Sequence, residues 1–458
     1  MPADEQFTRG PLEGIKAMKQ RILVLAIVAT FLLSIAKPAA AQQQRYIVRT
    51  SGGLLNVLHF CAAANCQVQG ALDGSQGRTY LVTSTGNLIS NLLNGTVNLL
   101  ESLLGIKSVE PDQLLSMPNV TLQSPGAGLS DTTPVNYYGT VVWHGYAAQP
   151  AAQIIRLTDA QTSFGVSGTG IVADIDTGVD PNHPALSPVL LQGYDFTRNQ
   201  PGANEWLDVA ALPNGPGDSS SEDEQPAVVQ QSTAAVLDQS TAAVLDGSPY
   251  VAFGHGTMTA GLIHLVAPKA KILPLKAFSA DGTGYLSNIV AALYYAAQNH
   301  ANVANMSFDL SATSPALSDA INYASQSGMI LVAAAGNEDT SARVYPAALN
   351  NTVLGVASTT DYDTRSSFSN YGDADVWIAA PGENIISTYP GGTYASSSGT
   401  SFSSPLTAGT AALLLSVKPG LTQSKAATAL AHARVLTPDL NNGRLDIYQA
   451  AMSWYVSK

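Results

Sequence analysis

The chain has 458 residues, of which 45% are hydrophobic and 12% are charged. This length suggests two or three folding units, and the composition excludes a disordered or fibrous chain. From residue 151 onward, 25 Asp and Glu residues stand against 12 Lys and Arg residues. Because such a balance repels phosphate backbones and anionic lipid, nucleic acid is not an expected partner.

A strongly apolar stretch lies near the N-terminus, over residues 22–36. It is short for a membrane span. It follows Lys19 and Arg21, and the Ala-x-Ala sequence after it ends at Ala41. These features are typical of a secretory signal peptide over residues 1–41, so we expect export to the extracellular space or periplasm and no stable membrane span. If the stretch instead acts as an anchor, the protein stays at the cell surface.

Residues 42–118 predict a small α+β unit. Extended and helical patterns follow one another as strand, helix, strand, strand, helix and strand, over residues 46–49, a run ending near Phe60, 68–72, 79–82, 88–104 and 106–110. This order is typical of a ferredoxin-like fold.

The chain has two cysteines, Cys61 and Cys66, and both lie in this small unit. In an exported protein the pair can close a disulfide loop. Two buried thiols fit the sequence equally well, so both alternatives stay open at this point.

Residues 119–150 are rich in Pro, Gly, Ser and Thr, and they predict a linker or an N-terminal arm over the next domain. Residues 151–458 predict an α/β domain with a mostly parallel central sheet, because nearly continuous apolar strand patterns alternate with helical ones. Within it, residues 198–250 predict a low-complexity surface insertion that contains a duplicated octet, at 231–238 and 239–246.

Four polar residues in the α/β domain offer the groups that acyl transfer by serine requires. Asp176 ends a predicted buried strand, where ligands and chemistry gather in α/β sheets. His255 stands between two glycines before a predicted helix. Ser401 lies in the segment 398–405, which directly precedes the apolar helix 406–417, and the positive end of that helix favours developing negative charge. Asn337 follows another buried strand and can donate its amide to an oxyanion.

Each of these motifs is weak alone, but the chain order Asp, His, Asn, Ser on alternating strands and helices is specific. Together the motifs resemble the four signatures of the subtilase family, with Asp176-Thr177-Gly178-Val179-Asp180, His255-Gly256-Thr257, Ala335-Gly336-Asn337 and Gly399-Thr400-Ser401. The resemblance covers most of residues 150–458. It implies a subtilisin-like three-layer α/β domain and a secreted serine endopeptidase that cuts polypeptides. The implied triad is Asp176, His255 and Ser401, with Asn337 in the oxyanion hole.

The 42–118 unit resembles the inhibitor-type propeptide of this family. The resemblance therefore implies a zymogen whose propeptide assists folding and acts as its intramolecular inhibitor, and we expect a monomer. By the same analogy, an added substrate strand would pair with the backbone at Gly282, Gly284 and Ser307, and Phe308 and Gly336 would border the S1 pocket.

Three departures from the family pattern stand out. Asp309-Leu310 replaces the paired glycines usual after the S1 serine, which leaves the P1 preference open. The chain is short where some subtilisins hold calcium on a loop, so no metal site is assigned. No cofactor is expected to be required, although a structural calcium ion elsewhere remains compatible with the family. Asp174 stands where an apolar residue is usual and shares a strand face with Asp176, so the two carboxylates are expected to titrate together.

Two motifs also match other kinds of site in part. Asp176-Thr177-Gly178 also matches the aspartic protease triplet, but the sequence lacks the second triplet which that chemistry needs. Gly168-Thr169-Gly170 precedes its strand, so it lacks the geometry of a nucleotide-binding loop. The non-enzymatic alternative is a catalytically silent subtilase-like scaffold that binds peptides. For the enzyme, we expect activity to rise as His255 loses its proton, on the order of pH 6 to 7 if its pKa is unperturbed.

Overall fold

The computed structural model describes residues 43–85, 104–117, 121–122, 128–209 and 250–455. Three sequence predictions therefore fall wholly or largely outside the described residues. These are the signal peptide over 1–41, the second helix over 88–104 and the insertion over 198–250.

The first described unit is a four-stranded antiparallel sheet that carries one helix. Its elements are β1 (Gln44–Thr50), α1 (Leu54–Ala64), β2 (Cys66–Ala71), β3 (Thr79–Ser84) and β4 (Ile106–Pro111). The strand order is β2-β3-β1-β4. Val57 and Phe60 of α1 pack on this sheet against Val48 and Val82. The ferredoxin-like assignment stays a prediction, because the second helix that it needs lies outside the described residues.

A disulfide joins Cys61 at the end of α1 to Cys66 at the start of β2. The structure thus decides between the two alternatives that the sequence left open for this pair.

The segment between the two units contains short elements. They are β5 (Leu114–Ser116), β6 (Thr121–Leu122), β7 (Pro134–Tyr137), β8 (Thr140–Trp143) and α2 (His144–Ala147). Strands β7 and β8 form an antiparallel hairpin within the predicted linker.

The second unit is built on an eight-stranded sheet. Its strands are β9 (Ile171–Asp176), β10 (Tyr194–Asp195), β11 (Gln200–Pro201), β12 (Lys271–Lys276), β14 (Val303–Met306), β15 (Ile330–Ala334), β16 (Val353–Thr359) and β17 (Ile378–Pro381). Their order is β11-β10-β12-β9-β14-β15-β16-β17. All neighbours are parallel except β10 and β11, which confirms the predicted mostly parallel sheet. Smaller sheets contain β13 (Thr283–Tyr285), β18 (Ile385–Tyr389) and β19 (Thr393–Ser398).

Helices cover both faces of the large sheet. The first of them are α3 (Pro150–Ile154), α4 (Leu157–Phe164), α5 (Trp206–Val209), α6 (His255–Val266) and α7 (Leu286–Gln298). The others are α8 (Pro315–Gln326), α9 (Thr400–Val417), α10 (Gln423–Leu430) and α11 (Ile447–Tyr455). None of the described helices is long and apolar enough to cross a membrane.

The alternation of side chains along β9 shows how the layers form. Val172 belongs to the apolar core shared with α6 and α9, whereas Ala173 and Ile175 belong to the core shared with α7 and α8. By the same alternation, Asp174 and Asp176 face α6 and α9. The strand therefore directs two carboxylates into the layer where His255 and Ser401 lie.

Burial of an uncharged histidine in this layer predicts a loss of stability in acid. His264 on α6 is 1% exposed, and neither ring nitrogen has a hydrogen-bond partner among the described residues. Burial, with a smaller effect from His183, lowers the pKa of His264 to about 4. Its pKa in an unfolded chain is about 6.5. Between these values the unfolded chain binds a proton that the folded chain does not, so stability falls as the pH falls.

We therefore expect His264→Leu to stabilise the fold more in acid than at neutral pH. The free energy of unfolding in urea would be compared at pH 7 and pH 4.5, in a Ser401→Ala background that prevents self-digestion. The gain from the leucine should be about 2–3 kcal/mol larger at pH 4.5. An equal gain at both pH values would show that His264 binds its proton equally well in the folded chain.

Candidate active site

Asp176 ends the central strand β9, which lies between β12 and β14. Gly178, two residues later, has φ 101°, and a Cβ atom there would lie 2.5 Å from the carbonyl oxygen of Ala203. The chain therefore needs glycine to bend away after Asp176. The bend leaves the carboxylate at the carboxyl end of the sheet, where its Oδ1 accepts the N–H of Thr177 at 2.7 Å.

His255 is the first residue of α6 and is 2% exposed. Its Nδ1 lies 2.7 Å from Oδ1 of Asp176. Gly256 permits this approach, because a Cβ atom there would lie 2.0 Å from the carbonyl oxygen of Gly178. A carboxylate on Nδ1 fixes the imidazole in the tautomer that leaves Nε2 free to accept a proton.

Ser401 lies in the first turn of α9, with its side chain buried near the same layer. Its Oγ donates to the carbonyl oxygen of Ser307 at 3.3 Å, and the Oγ of Ser307 donates to the carbonyl oxygen of Ser401 at 2.9 Å. Among the described residues, no hydrogen bond joins Ser401 to His255, although the His255 ring packs 5.5 Å from that of the next residue, Phe402. Hydrogen bonds between a nucleophile and its base are often formed only once substrate is bound.

Asn337 follows β15, and its side chain is held by Thr400. Its Oδ1 accepts the backbone N–H of Thr400 at 2.8 Å and the hydroxyl of Thr400 at 3.0 Å. Because a backbone N–H can only donate, these bonds fix which end of the amide faces Thr400. The Nδ2 group therefore points elsewhere, and it has no acceptor among the described residues. The N–H of Ser401, in the first turn of α9, also lacks an acceptor within its helix.

The residues predicted to bind substrate lie on two sides of this arrangement. Gly282 and Gly284 belong to the edge segment around β13, which pairs antiparallel with β5. The carbonyl oxygen of Gly282 accepts the N–H of Met117 at 2.8 Å. Phe308 is buried against Phe278, with ring centroids 5.3 Å apart. Gly336 donates its N–H to the hydroxyl of Thr400 at 3.2 Å.

A second carboxylate, Asp174, lies below Asp176 on the same strand and is 3% exposed. Its oxygens accept hydrogen bonds of 2.8 Å from the amide of Asn305 and from the hydroxyl of Thr259. Burial and the neighbouring Asp176 raise the pKa of Asp174 to about 7. Asn305 also donates to Ser307, which in turn donates to the carbonyl oxygen of Ser401. A buried hydrogen-bonded chain thus connects Asp174 to the turn that holds Ser401.

A third buried carboxylate, Glu205, was not singled out by sequence reasoning. It lies at the start of the region predicted as an insertion, where the sequence shows no periodicity that would indicate burial. In the structure this part of the region contains β11 and α5, and Glu205 is completely buried. Burial raises its pKa to about 7.

The three carboxylates act together on His255. Burial lowers the pKa of His255, but Asp176, Asp174 and Glu205 together raise it above its ordinary value of 6.5. A base of this kind is neutral only above its raised pKa. Any activity that needs neutral His255 should therefore rise at a higher pH than for an unperturbed histidine.

Asp309, whose effect on the P1 preference the sequence leaves open, adds a carboxyl group next to Phe308 in the chain. Its Oδ2 is buried without a partner among the described residues. Burial and the nearby Glu338 raise the pKa of Asp309 to about 7. Within the described residues, no group of three or more His, Cys, Asp or Glu side chains is placed to hold a metal ion.

Comparison with known proteins gives one consistent family. Residues 168–448 match the model of the subtilase family. The chain is 36% identical over 257 residues to the thermophilic serine proteinase of Bacillus sp. (strain AK1). This alignment covers 54% of this chain and 52% of that protein. It is 34% identical over 255 residues to thermitase of Thermoactinomyces vulgaris, in an alignment that covers 54% of this chain and 74% of that protein.

A crystal structure of a cold adapted subtilisin-like serine proteinase aligns with 30% identity and a TM-score of 0.48. That alignment covers 61% of this chain and 90% of the other. The match to the Bacillus proteinase spans only about half the length of that relative.

Proposed function

Since this chain belongs to the subtilase family, we propose that it is a secreted serine endopeptidase made as a zymogen. The observation that carries the proposal is the buried pair of Asp176 and His255, joined at 2.7 Å in the same layer as Ser401. The family match alone would fit a scaffold that had lost its catalytic groups. The pair adds the geometry that a general base requires.

In the proposed mechanism, Ser401 Oγ attacks the carbonyl carbon of a peptide bond while Nε2 of His255 accepts the hydroxyl proton. Asp176 holds the imidazole and stabilises its protonated form. The developing oxyanion accepts hydrogen bonds from Nδ2 of Asn337 and the N–H of Ser401. His255 then gives its proton to the leaving amine, and water hydrolyses the acyl-enzyme with His255 again as the base.

The proposed intramolecular inhibitor is the unit that ends near residue 118. Its docking is supported by two carboxylates at the end of β4, each of which caps a helix of the second unit. Glu110 accepts the N–H of Ala316 at 2.8 Å in the first turn of α8, and Asp112 accepts the N–H of Ser287 at 2.8 Å in the first turn of α7. Negative charge is favourable at such helix ends.

The chain after these carboxylates pairs with both sides of the candidate site. On one side β5 pairs with β13, so Leu115 lies opposite Gly284. On the other side β6 pairs with β19, so Thr121 lies opposite Ser398, three residues before Ser401. The peptide bonds between Met117 and Thr121 therefore join β5, which pairs with the predicted substrate-binding segment at Gly284, to β6, which pairs with the strand that leads to Ser401. We infer that the self-processing cut lies among these bonds.

The test is N-terminal sequencing of the secreted wild-type product, together with casein hydrolysis. The mature chain is expected to begin between residues 118 and 121 and to digest casein. A sample treated with a serine-directed sulfonyl fluoride serves as the control and should be inactive. A product that stays uncut and inactive would favour the peptide-binding scaffold. An active product that begins elsewhere would refute only the inferred cut.

A further inference from the structure

The carboxylate of Glu205 connects the two segments that hold the Asp176–His255 pair. Its Oε2 accepts the N–H of Gly254 at 2.9 Å and the hydroxyl of Thr177 at 3.4 Å. Its Oε1 accepts the hydroxyl of Thr257. Gly254 immediately precedes His255, and Thr177 immediately follows Asp176. One buried side chain thus bonds to the sequence neighbours of both members of the pair.

The hydroxyl groups of Thr177 and Thr257 must act as donors toward Glu205. The Oγ1 of Thr177 accepts the N–H of Gly256 at 2.9 Å, and the Oγ1 of Thr257 accepts the N–H of Asp180 at 2.8 Å. Because a backbone N–H can only donate, each hydroxyl hydrogen is left to point at Glu205. Three donors therefore converge on this side chain, and a carboxylate can accept from all of them. An amide would place an NH₂ group against at least one donor.

We propose that Glu205 is a positioning residue for the Asp176–His255 pair. The inference rests on the proposed function and extends it to a residue outside the triad. Through Thr177 and Gly254, the carboxylate holds the strand end that presents Asp176 at a fixed distance from the helix start that presents His255. Its negative charge also lies at the N-terminal end of α6, where it is favourable.

Charged and titratable groups face this site from every element packed around it. They come from β9, α6, α5, β12 and β18, and they are Asp174, Asp176, His255, Asp208, Lys276 and Tyr389. Lys276 is fully buried and pairs with Asp208 at 2.7 Å. Lys276 and the hydrogen bonds from Thr257 and Gly254 favour the charged form of Glu205 against the effect of burial. Glu205 in turn favours protonated His255.

The test compares the full-length wild type with Glu205→Gln and with Asp208→Asn as a matched control. Asp208 lies in the same segment and its side chain is only 6% exposed, but it bonds to Lys276, Arg198 and Ala280 and not to the neighbours of the pair. Two quantities are measured. The first is the pH profile of kcat and KM on a peptide substrate. The second is the NMR titration of the His255 ring in a Ser401→Ala background, which does not depend on activity.

Glu205→Gln is expected to lower kcat by roughly 10- to 100-fold with little change in KM, because a small displacement of a catalytic group has effects of this size. It should also move the His255 titration midpoint to lower pH, because a facing negative charge is lost. Asp208→Asn should lower the melting temperature and move that midpoint much less than Glu205→Gln, because the Asp208 carboxylate pairs with Lys276 and Arg198. Glu205→Asp, which keeps the charge but shortens the side chain, should keep the midpoint near that of wild type and still lower kcat.

The proposal would be overturned by a Glu205→Gln chain that has a lower melting temperature but keeps the wild-type kcat and His255 titration midpoint. Glu205 would then be purely structural. If Glu205→Gln does not fold, the kcat of Glu205→Asp tests the proposal instead. A wild-type kcat in Glu205→Asp would exclude a positioning role. A wild type without hydrolytic activity would refute the proposed function instead. The NMR midpoints would still show whether Glu205 acts on His255.

Discussion

The Ser401→Ala chain is expected to accumulate as an uncut precursor and to lose about 10⁶-fold in kcat, a magnitude taken from subtilisin itself. The substitution removes the attacking oxygen and leaves the backbone N–H of residue 401 and the helix start in place. Intact mass and N-terminal sequencing would show residues 43–117 still joined to the rest of the chain. Any remaining hydrolysis of a peptide substrate would be compared with wild type.

A matched control for this loss is Ser403→Ala. Ser403 lies two residues along α9, and its hydroxyl donates to the carbonyl oxygens of Ala380 and Pro381, away from His255. Removing it should cost about 1 kcal/mol of stability and leave processing intact. If Ser401→Ala were still cut at the wild-type position after purification from a protease-deficient host, the assignment of the nucleophile would be wrong.

Asp176→Asn is expected to lower kcat by about 10⁴-fold, the size of loss known when a triad aspartate is changed to asparagine in serine proteases. The physical reason is that an amide does not enforce the tautomer of His255 that leaves Nε2 unprotonated. Asp174→Asn should keep most of the activity, because Asp174 bonds to Asn305 and Thr259 and does not touch the imidazole.

The variants Asp174→Asn and Asp176→Asn also separate two properties of the pH profile, the pH at which kcat/KM rises and the height of its plateau. Loss of the Asp174 charge should lower the pKa of His255, so the rise of kcat/KM would move to lower pH without a large change in the plateau. Steady-state kinetics from about pH 5 to pH 9 would measure both quantities. The reverse ranking, with Asp174→Asn nearly inactive and Asp176→Asn active, would transfer the role of triad acid to Asp174.

The sequence predicted the parts of this molecule that depend on local pattern. The nearly continuous apolar strand patterns of residues 151–458 predict buried parallel strands, and the structure confirms them in the sheet that contains β9, β12, β14, β15 and β16. The chain order of the motifs, together with the turn after β9, identified the residues that the structure brings together at 2.7 Å. Strand alternation also placed Asp174 on the same face as Asp176.

Features that depend on distant contacts were beyond prediction. Glu205 resembles any surface glutamate in a polar stretch, and its burial arises only because the turn after β9 and the start of α6 close over it. The state of Cys61 and Cys66 depended on the spatial approach of α1 and β2. The hydrogen bond of Ser401 to Ser307 depends on how α9 packs against β14. Neither periodicity nor spacing carries information of this kind.

The pairing of β5 with β13 and of β6 with β19 implies that inhibition would depend on the concentration of the protein. In the proposed zymogen both units belong to one chain, so β5 would compete with substrate at an effective concentration on the order of millimolar. After the proposed cut between residues 117 and 121, β5 would belong to a separate molecule, whereas β6 would stay with the second unit. The occupancy of β5 would then depend on its actual concentration. If the protein is secreted as proposed, dilution would therefore favour dissociation of β5 from β13, and inhibition would depend on the protein concentration.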